Sequence, residues 1–303
     1  MNQRELDLEM SDPADQAQAD GEVAEVDSRN RLNDLSGTEW IAATKSFMFQ
    51  KGLGSSHPHA QIERAHPAPF SFQDIQRLIE FFTKSGEVVL DPFSGVGSTS
   101  KAAALAGRSS VGIELEPLWH GLAEKRMKDE LPAHANGKHD LLKGDCREVL
   151  TTLQPESVSF VVTSPPYWTI LNKKPDHKAI ERVNEGLALS YSDDPRDLGN
   201  VPSYKTFLAT LVDIFSLCVN VLQCDRYMCV VVSDFRHGSK FYSFHSDLIQ
   251  RLDGLRGSGW SLGLQGTKVL LQNHKSLKPY GYPFAYVENI HHQYILIFRK
   301  RSR

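Results

Sequence analysis

A chain of 303 residues, 40% hydrophobic and 23% charged, can bury one substantial core and has the make-up of an ordinary globular protein. No apolar run approaches the roughly 20 residues that cross a bilayer, and the first residues are acidic, so neither a membrane span nor a signal peptide is expected and the expected location is cytoplasmic. The four cysteines, Cys146, Cys218, Cys224 and Cys229, form no Cys-x-x-Cys pair, which argues against a metal or a disulfide framework. The net charge of −3 is unevenly spread: residues 1–37 hold ten acidic and three basic side chains, so the other 266 residues carry +4. That mild excess is compatible with phosphate contact.

Residues 1–34 are rich in Asp, Glu, Gln and Ala with few large apolar side chains, a composition that predicts a disordered acidic tail ahead of one domain over 35–303. Trp40, Ile41, Phe47 and Phe49 mark the change of character. Ile75, Leu78, Ile79 and Phe82 recur at helical spacing after Ser71, whose hydroxyl is the expected cap of a helix ending near Gly86. Strands are then predicted at 87–91, 109–114, 139–143, 158–163, 226–233, 262–271 and 292–299, with helices at 98–106, 117–129, 146–152, 203–222 and 243–256. Short apolar runs alternating with amphipathic stretches predict an α/β fold, a doubly wound, mostly parallel, seven-stranded, Rossmann-like sheet. The last two strands lack an intervening helix, so an antiparallel pair is expected at that edge.

The strand at 158–163 runs into Thr163-Ser164-Pro165-Pro166-Tyr167-Trp168. Proline fixes its own φ and forces the preceding residue extended, so the strand must end in a rigid loop carrying a serine, two carbonyls without companion N–H groups, and two aromatic rings. Such a loop suits a flat ring bearing an amino group, with Tyr167 stacking on the face while Ser164 and the Pro165 carbonyl accept the amino hydrogens. Farther upstream, the strand at 87–91 leads into Asp91-Pro92-Phe93-Ser94-Gly95-Val96-Gly97-Ser98-Thr99, a glycine turn that lets backbone approach a ligand closely. The next strand ends in Glu114, placed to accept ribose hydroxyls, and the third is followed by Asp145 and Cys146, placed at an adenine edge. Ser100 stands where a dinucleotide fingerprint has its third glycine, and no P-loop lysine follows. S-adenosylmethionine, which carries no phosphate, fits these omissions, and its sulfonium tolerates an aromatic face such as Phe93.

With these motifs in this order, residues 33–300 resemble the DNA amino-methyltransferases. Asp91 to Ser98 is similar to that family's cofactor motif, Gly112-Ile113-Glu114 to its ribose-binding acid, Gly144-Asp145 to its adenine-side motif and Thr163 to Trp168 to its catalytic motif. Trp40 to Ser46, with His66-Pro67 to Ile75, resembles the segment covering the methionine end, and Tyr280 to Phe284 and His292 to Phe298 resemble the closing strands. The resemblance implies a class I S-adenosylmethionine-dependent methyltransferase fold with no metal. It implies cofactor contacts at Asp91, Pro92, Phe93, Ser94, Gly95, Gly97, Ser98, Glu114, Asp145, Cys146 and Thr163, and a catalytic loop of Ser164, Pro165, Pro166 and Tyr167. Tyr167, Trp168, Lys173 and Arg236 are the implied substrate contacts.

The implied reaction is methyl transfer to the exocyclic amine of a base flipped out of double-stranded DNA, with a cognate restriction endonuclease as a candidate partner on which the sequence itself is silent. In that family serine before Pro-Pro-Tyr goes mostly with cytosine N4, Asp or Asn with adenine N6. Methylation of RNA or of a protein glutamine amide, and a catalytically silent DNA-binding adaptor, remain alternatives. Two polar segments are candidates for DNA contact: 169–202, with Lys173, Lys174, Lys178 and Arg182, and 235–276, with Arg236, His237, Lys240, Arg251, Arg256, Lys268, His274 and Lys275.

Overall fold

A computed structural model describes residues 25–53, 57–67, 70–133, 135–168, 194–273 and 275–303. In chain order the elements are α1 (Gly37–Ala43), β1 (Phe47–Phe49), α2 (Ala60–Ala65), α3 (Phe72–Phe82), β2 (Val88–Asp91), α4 (Ser98–Leu105), β3 (Ser109–Glu114) and α5 (Pro117–Asp129). There follow β4 (His139–Lys143), α6 (Cys146–Thr152), β5 (Val158–Thr163), α7 (Tyr204–Val221), β6 (Leu222–Val232), β7 (Phe235–His237) and β8 (Lys240–Tyr242). The chain closes with α8 (Phe244–Leu252), β9 (Arg256–Gly257), β10 (Trp260–Leu271) and β11 (His292–Ser302).

One sheet runs β1-β10-β11-β6-β5-β2-β3-β4, with β9 pairing β10. Pairs β3/β4, β2/β3, β2/β5, β5/β6 and β1/β10 are parallel; β6/β11, β10/β11 and β9/β10 are antiparallel. The chain winds outward from β2 to β4, then returns to the other side of β2 through β5. That reversal opens a crevice beyond the carboxyl ends of β2 and β5, where open α/β sheets bind their ligands.

All six residues of β5 are buried, as a parallel strand covered on both faces requires. Its residues alternate between two cores: Val161 packs with Leu90 against α7 and α8, while Phe160 and Val162 pack with Val89 against α3 and α4. The α7 helix is apolar because Phe207, Leu211, Ile214, Phe215, Cys218 and Val219 face the first of these cores.

Several expectations are corrected. Among the described residues the sheet has nine strands rather than seven, because β1 and β9 are three and two residues long, too short to leave a periodic signal. The last helix stops at Leu252 rather than 256, since Gly254 turns to φ +77° and the chain enters the β9–β10 hairpin. Ser71 occupies the position preceding α3, but its hydroxyl donates to the Lys51 carbonyl at 2.5 Å instead of capping the helix. That helix ends at Phe82, not Gly86, because Thr83 is extended and its hydroxyl bonds back to the Ile79 carbonyl.

Residues 1–24 of the expected tail lie outside the described residues, but residues 30–34 belong to the folded body. The Asn33 amide is fully buried and donates to the Phe81 carbonyl at 2.7 Å, and the Asp34 carboxylate accepts from the Ser85 amide at 2.7 Å. Polar side chains anchor this stretch, which hydrophobic composition could not reveal. Trp40 packs on Phe81 with ring centroids 5.2 Å apart, on the body of the fold rather than over a ligand site. Tyr280 to Phe284 form no strand; they stand in the connection from β10 to β11.

Candidate active site

The crevice is organised by one carboxylate. Asp91, the last residue of β2, accepts hydrogen bonds from the Thr163 hydroxyl at 2.6 Å, the Thr99 hydroxyl at 2.5 Å and the Phe93 amide at 3.0 Å. The ends of β2 and β5 and the first turn of α4 are thereby fixed to each other. Burial pushes the Asp91 carboxyl above its ordinary range, against the pull of these three donors.

From Asp91 the chain makes the glycine turn. The Ser94 amide bonds the Ile113 carbonyl at 2.9 Å, and the Gly97 amide bonds the Ser94 carbonyl at 2.8 Å. Gly97 takes φ +75° immediately before α4, and a Cβ there would lie 3.0 Å from the Ala123 Cβ. Gly95 takes φ +50°, and its Cβ would press to 3.3 Å from His66 Nε2, so both glycines are needed for shape as well as dihedral freedom. The Gly95 amide donates to Glu114 Oε2 at 2.8 Å, and Glu114 Oε1 accepts from the Glu116 amide at 2.8 Å. Burial raises the Glu114 carboxyl to about 7, these two amides opposing it.

Behind the turn lies a buried ion network. Arg126 on α5 donates to Glu130 at 3.1 Å, to Glu63 on α2 at 2.7 Å and to the Ser98 hydroxyl at 2.8 Å; Lys101 on α4 donates to Glu130 at 2.6 Å. Its effect is to bolt α2, α4 and α5 together around the glycine turn. The Lys101 ammonium also sits 3.9 Å from the centre of the Phe72 ring.

Two chambers open in front of the turn. The larger, about 740 Å³ of space continuous with solvent, is walled by Pro92, Phe93, Gly95, Glu114, Asp145, Cys146, Ser164, Pro165, Pro166 and Tyr167, each expected from the sequence. The smaller, about 350 Å³, is walled by Asp91, Ser94 and Ser98 and shares Phe93, Gly95, His66 and Ser164 with the first. Gly97 and Thr163 act through the turn and through Asp91 rather than as wall residues.

Among the wall residues, Asp145 caps α6 by accepting from the Arg147 amide at 2.9 Å, and its carboxylate is paired with the Arg147 guanidinium. Burial pushes Asp145 up, but the Arg147 hydrogen bonds outweigh it and hold the group below the usual carboxylate range. Burial pushes the Cys146 thiol up to about 12, so it is no nucleophile. The Tyr167 hydroxyl accepts from the Ser233 amide at 3.1 Å and from the Gln293 side chain at 3.3 Å, and it also meets the Ser164 side chain. Its ring is flanked edge-on by Phe235 and Phe244, with centroids 6.3 and 6.2 Å away. Tyr167 is thus tied to the ends of β6 and β11.

Trp168 is buried away from the cavity wall. Its indole N–H donates to the Val201 carbonyl at 2.8 Å and its rings pack on Tyr204, His237 and Tyr242, so it anchors the β7–β8 hairpin instead of meeting a base. Arg236 lies on that hairpin, its guanidinium 5.4 Å from the Phe241 ring centre. Lys173 and residues 169–193 of the first candidate DNA segment lie outside the described residues. The second segment, 235–276, is divided: Phe244, Leu248, Leu252 and Leu270 are core, while Lys240 on the hairpin, Arg251 on α8 and Arg256 on β9 are exposed.

A family model for DNA methylases of the N6/N4 type matches residues 22–125. Over 68 residues the chain is 43% identical to the type II methyltransferase M.MthZI of Methanothermobacter thermautotrophicus, covering 22% of this chain and 19% of that protein. Over 88 residues it is 42% identical to the type II methyltransferase M.ScaI of Streptomyces caespitosus, covering 29% of each. Residues 22–125 thus carry the likeness to the N6/N4 DNA methylases. The match spans less than a third of the length of either relative. Among solved structures, a putative DNA modification methylase from Thermus thermophilus, complexed with S-adenosylmethionine, is 27% identical over 53% of this chain and 54% of that one, with a TM-score of 0.35.

The doubly wound sheet with its antiparallel strands has the mostly parallel α/β architecture expected from the sequence. Sequence reasoning overlooked several wall residues: Leu115, Glu116, Trp119, Asp197, Leu198 and Ile214. Trp119 carried a weak signal, an aromatic in the first turn of the helix that follows Glu114. It packs edge-on against His66 at 5.0 Å, closing the cavity between α5 and the segment after α2. Asp197 and Leu198 come from a connection with no pattern of its own, where only the fold brings them to the cavity.

Proposed function

We propose that this protein transfers a methyl group from S-adenosylmethionine to the exocyclic amine of a base in double-stranded DNA, with cytosine N4 as the target. The observation that carries the reading is the position of Ser164, which borders both chambers at once, at the end of β5 and beside the glycine turn. With the nucleoside in one chamber and the amino-acid end in the other, the sulfonium that joins them would lie at this junction, so an amine held by Ser164 would face the methyl group.

The donor's site is tested by its chemistry. Glu114 stands in the larger chamber beside Phe93 and Trp119, an acceptor for vicinal ribose hydroxyls between aromatic walls. Its two arginines, Arg147 and Arg196, are engaged by Asp145 and Asp194, and no lysine stands among the described residues of the wall, so the chamber is built for a nucleoside without a polyphosphate. The tight approach at Gly95 leaves backbone where a Cβ would intrude, and the smaller chamber, rimmed by Ser94, Ser98 and Thr99, has the polar lining an amino-acid end requires. The residues therefore fit S-adenosylmethionine, which supplies an electrophilic methyl on a sulfonium.

An exocyclic amine is a poor nucleophile because its lone pair is delocalised into the ring. Acceptors that take both amino hydrogens return density to the nitrogen. The Ser164 hydroxyl, where it donates to Tyr167, keeps its lone pairs for one hydrogen; the Pro165 carbonyl is the acceptor for the other. Buried Pro165 and the three partners of the Tyr167 hydroxyl hold this pair in place. Serine before Pro-Pro-Tyr supports cytosine over adenine by family resemblance, and the type II relatives support a cognate restriction endonuclease as partner.

Incubating the protein with methyl-labelled S-adenosylmethionine and unmethylated genomic DNA, then separating the nucleosides, tests the proposal. Labelled N4-methylcytosine is the expected product. N6-methyladenine alone would overturn the choice of base, and label found in RNA or protein but not DNA would overturn the substrate class.

Glu114 also makes the site pH-dependent. Its carboxyl is raised in the folded protein, so the stability it contributes is full below its ordinary value near 4.5 and is lost as pH rises through about 7. Ribose binding needs the ionised form, so cofactor affinity should fall as pH drops below about 7. In calorimetric titrations Glu114→Gln is expected to bind the cofactor more weakly and with a flatter pH profile. Burial also raises Asp74 on α3 to about 7, so the stability comparison must be made between wild type and variant across the same window.

A further inference from the structure

The connection from β10 to β11 presents aromatic rings to solvent. Tyr280, Tyr282, Phe284 and Tyr286 are 53%, 81%, 93% and 83% exposed, at every second residue of one short stretch. Large rings exposed together mark a contact surface, whereas single exposed hydrophobes do not. We propose that this stretch is a stacking arm that takes unpaired DNA bases around the flipped target; the inference rests on the DNA-methylation reading above.

The arm is a built structure. The Asn289 side chain exchanges two hydrogen bonds with the backbone of Lys278, at 2.9 and 2.8 Å, closing its base. At the tip the Phe284 and Ala285 amides both donate to the Gly281 carbonyl at 2.7 Å. Gly281 has φ +73°, and a Cβ there would fall 2.2 Å from the Ala285 carbonyl oxygen, so only glycine permits the turn. The rings are held out by folding itself, so binding need not order them.

Its location names the occupant. Strand β10 runs in the same direction as β5, so its carboxyl end, and with it the arm, emerges at the edge of the sheet that carries the cavity. The foot of the arm is continuous with the catalytic loop: the Ser233 hydroxyl bonds the His292 carbonyl at 3.3 Å, and Gln293 bonds the Tyr167 hydroxyl. Flipping a base leaves its former partner and neighbours unstacked beside that loop. Aromatic faces replace lost stacking with little regard to sequence, and Lys278 at the foot adds a phosphate-compatible charge.

The test measures affinity for a fluorescein-labelled random-sequence duplex with a central mismatched bubble, by anisotropy at fixed salt. A triple variant, Tyr282→Leu with Phe284→Leu and Tyr286→Leu, keeps apolar surface but loses the rings; a second, Tyr282→Phe with Tyr286→Phe, keeps the rings. The leucine variant should lose about tenfold or more in affinity, the worth of stacking one or two bases, and the phenylalanine variant should bind as wild type. The salt slope of the leucine variant should match wild type, while Lys278→Ala should lower it by about one unit. Cofactor affinity is the check on folding.

Leucine-variant binding equal to wild type, in a preparation where wild type methylates genomic DNA, overturns the arm and leaves the proposed function standing. A change from dimer to monomer in sedimentation with unchanged DNA affinity assigns the rings to a second copy and also overturns it. If wild type neither binds the bubble duplex nor methylates DNA, both readings fall together.

Discussion

Replacing Ser164 with alanine is expected to lower the rate of methyl transfer about 100- to 1000-fold, the usual cost of deleting one preorganised polar contact to reacting atoms. S-adenosylmethionine affinity should stay near wild type, because the Gly95 turn and Glu114 remain intact. Single-turnover transfer to labelled DNA, with calorimetry of cofactor binding alongside, makes the measurement. The split between the two readouts is decisive. A parallel loss in both would mean that Ser164 holds the cofactor and that acceptance of the amino hydrogens lies elsewhere. Tyr167→Phe provides a graded comparison, since it removes the hydroxyl that Ser233, Gln293 and Ser164 meet while keeping the ring between Phe235 and Phe244.

Arg126→Met is expected to destabilise the fold by about 3–5 kcal/mol, since removing one member of a buried ion network leaves the others uncompensated. The guanidinium is fully buried and touches Glu63, Glu130 and Ser98, so its loss strands two carboxylates, only one of which keeps a lysine partner. Urea unfolding reads the change as a lower midpoint at unchanged slope. Adding Glu63→Gln should recover part of the loss by removing one stranded charge. A midpoint within experimental error of wild type would show that water reaches the network and solvates it. Because the same residues brace the glycine turn, cofactor affinity should fall in Arg126→Met even under conditions where the variant is fully folded.

Much of this was legible in the sequence for a definite reason. Strands β2, β3 and β5 are short runs rich in β-branched residues, β5 buried throughout, a pattern that survives without tertiary information, and the ligand-facing loops follow them directly. Glycine at 95 and 97 and the double proline at 165 and 166 are backbone requirements, so they announce themselves at the level of residue type. What escaped was contributed from a distance. His66 reaches the cavity because the Arg126–Glu63 pair holds α2, Ile214 reaches it from the buried face of α7, and Asp197 from the connection ahead of that helix. Trp168 was misread for a related reason: a tryptophan in a catalytic hexapeptide suggests a stacking surface, yet its indole is consumed by Tyr204, Tyr242 and the Val201 carbonyl. Composition likewise drew the tail's boundary too late, because Asn33 and Asp34 dock through hydrogen bonds and not through apolar burial.

The convergence of Thr163, Thr99 and the Phe93 amide on the single carboxylate of Asp91 has an implication for how such enzymes diversify. The wall that would receive the donor and the loop that would receive the acceptor are referenced to one shared atom group, so their separation is a property of the sheet and not of any surface segment. The segment proposed to meet DNA, the ringed connection before β11, hangs outside that reference. It can be exchanged, lengthened or redesigned to read another sequence without retuning the distance across which the methyl group must travel.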